Sequence, residues 1–340
     1  MSVVSYGLTK MAEEYTSCYV LVDENTRKHC YPLLKPFLPA HKVITWKAGE
    51  EHKTLKACIH IWNKLTDTDA DRKAVLINLG GGAISDIGGF AAATYKRGIA
   101  FINIPTTLLA MVDAAIGGKT GIDFKDFKNQ VGAFAEPAKV YIHVDFLKTL
   151  PKRELRAGFA EVIKHYLIAE KQDFESLFTN QPELEAMDWQ EVVKSNIRIK
   201  QLIVESDFKE QHARKGLNYG HTIGHAVESL YLAKEKQKLL HGEAVAVGLF
   251  TESFISVKKG SLKPADLERI ITVLKRYFKF KPIKESDFGK LLKLVGQDKK
   301  NVANFNQFTL LKGIGNFTIN NYVQQELILE ALTHYNQALK

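Results

Sequence analysis

Three of the eleven histidines gather in one stretch of the chain. His221 and His225 lie in Asn218-Tyr219-Gly220-His221-Thr222-Ile223-Gly224-His225-Ala226-Val227-Glu228, and His241 opens His241-Gly242-Glu243. On a helix, His221 and His225 share a face, so both can reach one ion, and His241 at the start of the following helix can supply another imidazole. A lone histidine is more often a core or surface residue; three of them flanked by glycines point to metal binding or catalysis. A carboxylate completes the set. Glu161 sits in Ala157-Gly158-Phe159-Ala160-Glu161-Val162-Ile163-Lys164, an otherwise apolar helical turn where a charged residue is either buried for a purpose or an accident of the helix face. Nitrogen and oxygen donors without thiolate suit Zn2+ or a similar divalent ion with one position left open to substrate.

A second chemical signal lies earlier. Asn78-Leu79-Gly80-Gly81-Gly82-Ala83-Ile84-Ser85-Asp86 falls where an apolar run meets a helical pattern, the setting in which backbone N–H groups and the helix dipole bind phosphate. Ser85 occupies the third glycine position of the familiar G-x-G-x-x-G pattern, so alone the motif says little beyond a tight connection. Ile104-Pro105-Thr106-Thr107 ends the next apolar run and brings two hydroxyls to the same sheet edge.

The elements that must position these groups follow from periodicity. Cys18–Asp23, Lys42–Gly49, Ala74–Gly82, Ala100–Pro105 and Lys139–Asp145 are mostly apolar on both alternating sets of positions and read as buried parallel strands. Thr54–Leu65 and Ala83–Arg97 have helical spacing between them. Beyond Pro151 the pattern changes to long amphipathic stretches, among them Arg153–Glu170, Trp189–Glu205, Gly220–Tyr231 and Glu243–Val257, with few strand-like runs. The reading is a Rossmann-like α/β domain with a mostly parallel sheet over residues 1–150. An all-α domain follows over 151–340, with the active site in the cleft between the two.

Composition narrows the class. At 340 residues, 45% of them hydrophobic and 25% charged, the chain is ordinary globular protein, large enough for two domains. Cys18, Cys30 and Cys58 lack CxxC spacing and read as reduced packing residues. No apolar run approaches the ~20 residues needed to span a bilayer, and MSVVSYGLTK has no apolar signal core, so a cytoplasmic protein off the membrane is expected. The net charge of +9 is scattered. Its densest groups, Lys234 to Lys238 and Lys258-Lys259, lack interleaved aromatics and read as solvated faces, not a nucleic-acid surface.

Taken together, the segments resemble the 3-dehydroquinate synthase family from about Asp23 to Lys300. The carrying motifs are Gly80-Gly81-Gly82 with Asp86, AATYKRG (Ala92–Gly98), IPTTLLAMVDAAIGGKTGID (Ile104–Asp123), KNQVGAF (Lys128–Phe134), TLPKRELRAGFAEVIK (Thr149–Lys164), RKGLNYGHTIGHAVE (Arg214–Glu228) and HGEAVAVG (His241–Gly248). The resemblance implies a lyase of the shikimate pathway that converts 3-deoxy-D-arabino-heptulosonate 7-phosphate to 3-dehydroquinate and phosphate. Transient NAD-dependent oxidation, phosphate elimination, re-reduction, ring opening and aldol closure would make up the cycle. It also implies that Glu161, His221 and His241 hold the metal, Zn2+ or Co2+, and that His225 faces substrate instead.

For NAD the family pattern falls on Asp23, Glu50 and Lys53 at the adenosine end and on Gly81, Gly82 and Asp86 near the pyrophosphate. Thr106, Thr107, Asp113, Lys119, Lys128, Phe146 and Thr149 surround the rest. For substrate it falls on Asp113, Lys119, Asn129, Lys164, Lys200, Arg214, Asn218, His225, Lys299 or Lys300, and Arg97. Arg97 is expected to reach the phosphate bound to the neighbouring subunit of a homodimer. Lysine and arginine in this number suit a substrate bearing both carboxylate and phosphate. Two departures, Ser85 for the usual glycine before Asp86 and Phe127 for the glycine before Lys128-Asn129, place a side chain in each loop. The alternatives are another NAD- and metal-dependent sugar-phosphate cyclase, or an iron-dependent or glycerol dehydrogenase-like enzyme, which would accumulate NADH from a simple alcohol.

Overall fold

Runs that are apolar on both faces can be stable only where helices cover both sides of the sheet, and this is how the first part of the chain is arranged. The computed structural model describes Leu8 and residues 14–125, 127–232, 238–296 and 307–340, and the chain divides into two units, Met1–Leu155 and Arg156–Lys340.

In the first unit the strands, in chain order, are β1 (Cys18–Asp23), β2 (His41–Trp46), β3 (Val75–Gly80), β4 (Ala100–Pro105), β5 (Lys119–Phe124), β6 (Phe127–Phe134) and β7 (Lys139–Val140). Five of them form a parallel sheet in the order β2-β1-β3-β4-β7. β3 is buried along its whole length and β1 from Cys18 to Val22. Helices Leu55–Thr66 and Gly82–Thr94 cross between strands, and Ile44, Cys58, Ile61, Leu76, Ile87 and Phe101 pack into one core. All three cysteines are free and buried; burial pushes the Cys58 thiol up to about 12, so it packs as an apolar group.

The order in which strands are added switches sides between β1 and β3: β2 lies on one side of that pair and β4 on the other. The carboxyl ends of such a pair form the crevice in which open α/β sheets bind ligands. Asp23 ends β1, and the Gly80-Gly81-Gly82 turn ends β3. Buried Asn78 and Asn103, register partners on β3 and β4, bond to each other at 2.9 Å. Asn103 then donates to the Ala115 carbonyl at 3.1 Å, tying down the π-helical turn Ala110–Ala114 that carries Asp113.

Two expectations for this unit change. The strand read over Lys139–Asp145 pairs only at Lys139 and Val140, because the chain turns into the 3-10 helix Val144–Thr149 that carries Phe146 and Thr149. Periodicity also missed the antiparallel hairpin β5–β6, whose glycine- and lysine-rich strands show no clean alternation.

The second unit is built from helices Lys171–Asn180, Trp189–Ser206, His221–Leu232, His241–Lys258, Pro264–Tyr277, Phe288–Gly296 and Gln325–Ala338. Helix Lys152–Ala169, which starts directly after Pro151, joins them. The all-helical expectation holds with one addition, the antiparallel hairpin β8 (Gln307–Leu311) and β9 (Phe317–Tyr322). Helix His241–Lys258 is buried at every position from Ala244 to Ser256, the mark of a central helix surrounded by others. Its amino end lies against helix Lys152–Ala169 so closely that a Cβ on Gly242 would fall 1.8 Å from the Ala157 carbonyl oxygen. Among the described residues, no helix is long and apolar enough to cross a membrane.

The Gly242 contact is backbone on one side, so relief requires the helices to separate. Gly242→Ala is expected to cost about 2 kcal/mol or more in denaturant unfolding; an unchanged midpoint and slope would show that the helices are not held this closely.

Candidate active site

In the second unit, helix Lys152–Ala169 projects Glu161 into the interior, where it is fully buried. The starts of helices His221–Leu232 and His241–Lys258 bring their first residues to it: the Nε2 atoms of His221 and His241 lie 3.4 and 3.5 Å from Glu161 Oε1. The other ring nitrogen of each imidazole has its own acceptor. His221 Nδ1 faces the Tyr219 carbonyl at 3.1 Å and His241 Nδ1 faces Glu228 Oε2 at 3.2 Å. Those partners favour a proton on Nδ1 and leave the Nε2 lone pairs turned toward the carboxylate.

Two lone pairs aimed at a carboxylate oxygen repel unless a proton or a cation lies among them. Lys164 pairs with Oε2 from one helical turn further on, yet among the described residues no hydrogen bond reaches either buried Glu161 oxygen. Ligand bonds of about 2.0–2.1 Å in a tetrahedron put neighbouring donor atoms about 3.3 Å apart, close to the separations found here. His225 stands beside them, its ring centroid 5.2 Å from that of His221 and 5.7 Å from that of His241, with all three imidazoles offering a nitrogen within 4.8 Å of one another. The residues therefore fit a divalent ion by donor chemistry and by spacing.

The electrostatics agree. Burial pushes the Glu161 carboxyl up, but the charge of Lys164 and then of His221 outweighs it and holds the group well below the usual range. Burial lowers His221, with Glu161 opposing. At His241 burial is overcome, first by the Glu228 carboxylate and then by Glu161, and the imidazole is pushed up to about 10. The set as a whole favours positive charge at the Glu161 oxygen.

In the first unit the structure brings together several residues from the glycine-turn side. Lys53, buried to 2% exposure, pairs with Asp86 at 2.7 Å and Glu50 at 3.3 Å. Lys128 reaches the same Glu50 oxygen at 3.8 Å. Asp123 was not singled out by sequence; its carboxylate accepts the Asn129 N–H at 2.8 Å while its backbone N–H bonds the Lys53 carbonyl. Thr106 N–H bonds the Gly80 carbonyl, and a Cβ on Gly81 would meet the Thr107 methyl at 3.0 Å, so turn and threonines share one edge. Asp23 caps helix Glu24–His29 through a capping box with Thr26. Ser85 points into the unit's interior, with its hydroxyl buried and without a hydrogen-bond partner among the described residues; Asp86, next to it, turns toward Lys53.

Sequence comparison places these features. The 3-dehydroquinate synthase N-terminal family profile matches residues 43–157 and its C-terminal counterpart residues 158–301. The chain belongs to the 3-dehydroquinate synthase family. A relative of that name from Parabacteroides distasonis is 41% identical over 330 residues, covering 96% of this chain and 93% of its own. Among solved structures, the 2-epi-5-epi-valiolone synthase of Streptomyces hygroscopicus subsp. jinggangensis, with NAD+ and Zn2+ bound, has a TM-score of 0.85 at 25% identity, covering 96% of this chain and 93% of that one. A 2-deoxy-scyllo-inosose synthase, complexed with carbaglucose-6-phosphate, NAD+ and Co2+, has a TM-score of 0.81 at 25% identity, covering 95% and 91%.

The remaining family positions have distinct settings. Lys164 and Lys200 are buried, as is Arg214, whose guanidinium donates to the Phe208 carbonyl at 2.6 Å. The Arg214 backbone is fixed by Asp207, which also collects the N–H groups of Gln211 and His212. Asn218 donates to Glu210. Phe146 is buried, Thr149 bonds the Phe146 carbonyl and lies 4.0 Å from Cys30, and Lys119 is exposed at the start of β5. Arg97 is exposed, and both it and Lys96 have positive φ, +68° and +49°. Lys299 and Lys300 lie outside the described residues. Glu228 is the residue that sequence reasoning passed over: it ends the GHTIGHAVE motif, and its spacing from His225 showed no sign that it would orient His241.

Glu161→Gln should abolish tight binding of Zn2+, whereas Glu228→Gln should weaken it by about 10- to 100-fold, the usual effect of removing a carboxylate behind a ligating histidine. Titration against a chromophoric chelator measures both; wild-type affinity in Glu161→Gln would remove Glu161 from the ligand set.

Proposed function

We propose that this chain converts 3-deoxy-D-arabino-heptulosonate 7-phosphate to 3-dehydroquinate and inorganic phosphate, with NAD+ and one divalent ion, Zn2+ or Co2+, as cofactors. The observation that carries the reading is the convergence of Glu161, His221 and His241 on one buried point, in a chain 41% identical to a 3-dehydroquinate synthase over nearly its full length. That identity favours dehydroquinate over the products of the related cyclases, which stand at 25%. The reaction is a phosphorus–oxygen lyase step in aromatic amino acid biosynthesis, and its substrate is a phosphorylated small molecule.

Glu161, His221 and His241 would hold the ion, which when bound acidifies a substrate hydroxyl and polarises the carbonyl that replaces it. NAD+ supplies a reversible hydride acceptor and is returned unchanged in each cycle. The chain's own residues bind and orient. The glycine turn at the end of β3, beside Asp23 at the end of β1, lies where the strand order switches sides and suits the dinucleotide phosphates. Glu50, Lys53, Asp86, Thr106, Thr107 and Lys128 share that side of the unit. We assign the interior cations Lys164, Lys200 and Arg214, with Lys119, Asn129 and Asn218, to the carboxylate and phosphate of the substrate, since charge-assisted bonds both hold and orient such anions.

We assign His225 to proton movement because its ring stands beside the ligand histidines. Arg97 sits exposed on a backbone held in left-handed geometry at two successive non-glycine residues, a strain usually retained for function. We assign it to the phosphate bound by a second subunit of a homodimer.

Incubation with the heptulosonate phosphate, NAD+ and Zn2+ should release inorganic phosphate while absorbance at the nicotinamide band shows no net rise. Net NADH formation from a simple alcohol, with no phosphate released, would favour the dehydrogenase alternative and sink this one. His225→Ala should lower turnover by about 100-fold or more, the scale of a lost general acid–base, with normal metal content; full turnover would refute its role.

A further inference from the structure

Helix His221–Leu232 starts in an unusual way for its amino end. In a capping box the N-cap side chain accepts from the third helical N–H and the third residue's side chain accepts from the N-cap N–H. Here the N-cap position is Gly220, which has no side chain, and the third helical residue is Ile223, which has no acceptor. Both N–H groups are nevertheless satisfied, by one carboxylate from another helix. Glu252, fully buried on helix His241–Lys258, accepts from Gly220 N–H at 2.7 Å through Oε2 and from Ile223 N–H at 2.9 Å through Oε1.

The two acceptor contacts bracket His221. The same helix grips the preceding residue too: Tyr219, buried to 0% exposure, hydrogen-bonds through its hydroxyl to Ser253 and to the Leu249 carbonyl, and the Tyr219 backbone carbonyl is the acceptor facing His221 Nδ1. The approach is too close for side chains. Gly220 has φ +79°, and a Cβ on Gly248 would fall 1.8 Å from the Gly220 carbonyl oxygen. His241, at the start of the helix that carries Glu252, is the other imidazole facing Glu161.

We propose that Glu252 is a positioning residue for the metal: by capping the helix of His221 from the helix of His241, its carboxylate sets the spacing of the two imidazoles. The assignment rests on the reading of Glu161, His221 and His241 as ligands. A buried carboxylate in this role is stabilised by the positive end of the helix it caps as well as by the two hydrogen bonds. An amide cannot replace it, because its NH2 would be set against one of the two backbone N–H donors.

The test is metal affinity in Glu252→Gln, with Glu252→Asp, which keeps the charge but withdraws it by one methylene, as the second variant. The full-length proteins are stripped with chelator and titrated with Co2+, following the visible ligand-field bands, and with Zn2+ in competition with a chromophoric chelator. Expected are a Kd raised by about 10- to 100-fold and altered Co2+ bands, with NAD+ binding unchanged. A merely structural role would lower the Tm of the metal-free protein and leave both metal readouts at wild type, and that result in whichever variant folds overturns the proposal. His221→Ala separates the two levels. Lost metal binding there with wild-type binding in Glu252→Gln sinks the role of Glu252 alone, whereas wild-type binding in His221→Ala sinks the ligand assignment beneath it.

Discussion

A carboxylate with no exposed surface, faced by two imidazole nitrogens whose lone pairs point at it, is the constraint on which the second unit depends. Desolvating a carboxylate costs several kcal/mol even after relaxation, so the arrangement calls for positive charge among these atoms, from a proton on His241 or from a bound ion. Lys164 offsets part of the charge at the other oxygen, and the raised pKa of His241 places further positive charge on the histidine side. The packing of three helices is organised to keep these atoms together. Gly242 lets the helix of His241 lie directly on the backbone of the helix of Glu161, and the buried run Ala244–Ser256 makes that helix the unit's centre.

The first unit handles charge in the opposite way. Its buried charge is a cation, Lys53, and burial, which disfavours the ammonium, is overcome by Asp86 and Glu50, so that its pKa rises above the ordinary lysine value. The carboxylates are supplied by a helix and a 3-10 turn that follow different strands, so one lysine ties the glycine-turn helix to the segment after β2. Such a tie fixes the loops around the glycine turn, whose backbone N–H groups open a helix amino end. Asp123 extends the tie to the β5–β6 hairpin by holding the Asn129 N–H and the Lys53 carbonyl, and Asn129 itself sits at φ +49°.

Much of this was legible in the residues. The parallel strands were readable because burial on both faces removes polar positions altogether, and the long helices because their apolar stripes repeat. The β5–β6 hairpin was not, since Lys119–Phe124 and Phe127–Phe134 carry glycine, lysine and asparagine for contacts at the sheet edge, which erases the two-residue period. Of the site, histidine spacing brought His221, His225 and His241 together but could not separate ligand from neighbour. Its place in an otherwise apolar helical turn made Glu161 a candidate, and the resemblance then named it a ligand in place of His225; nothing local distinguished a buried helical glutamate from an exposed one. Glu228 and Glu252 were illegible for a related reason: each acts on a residue in a different helix, and that partner exists only once the helices have packed.

Three of the buried acids described in the helical unit, Glu161, Glu228 and Glu252, at 0%, 5% and 0% exposure, would be a liability in a core of ordinary composition. Each is met by a different group: an ammonium at Glu161, an imidazole N–H at Glu228, and backbone N–H groups at Glu252. The three donors lead to one place. Glu228 sets the rotation of the His241 ring, Glu252 sets the height of His221 on its helix, and Glu161 is the charge both rings face. Replacing any of the outer two by an apolar residue would relieve a desolvation cost and could raise stability, as it does for many buried ion pairs. Stability gained in that way would loosen the spacing that a small, four-coordinate ion requires, and this explains why a core helix as apolar as His241–Lys258 keeps a glutamate at its middle.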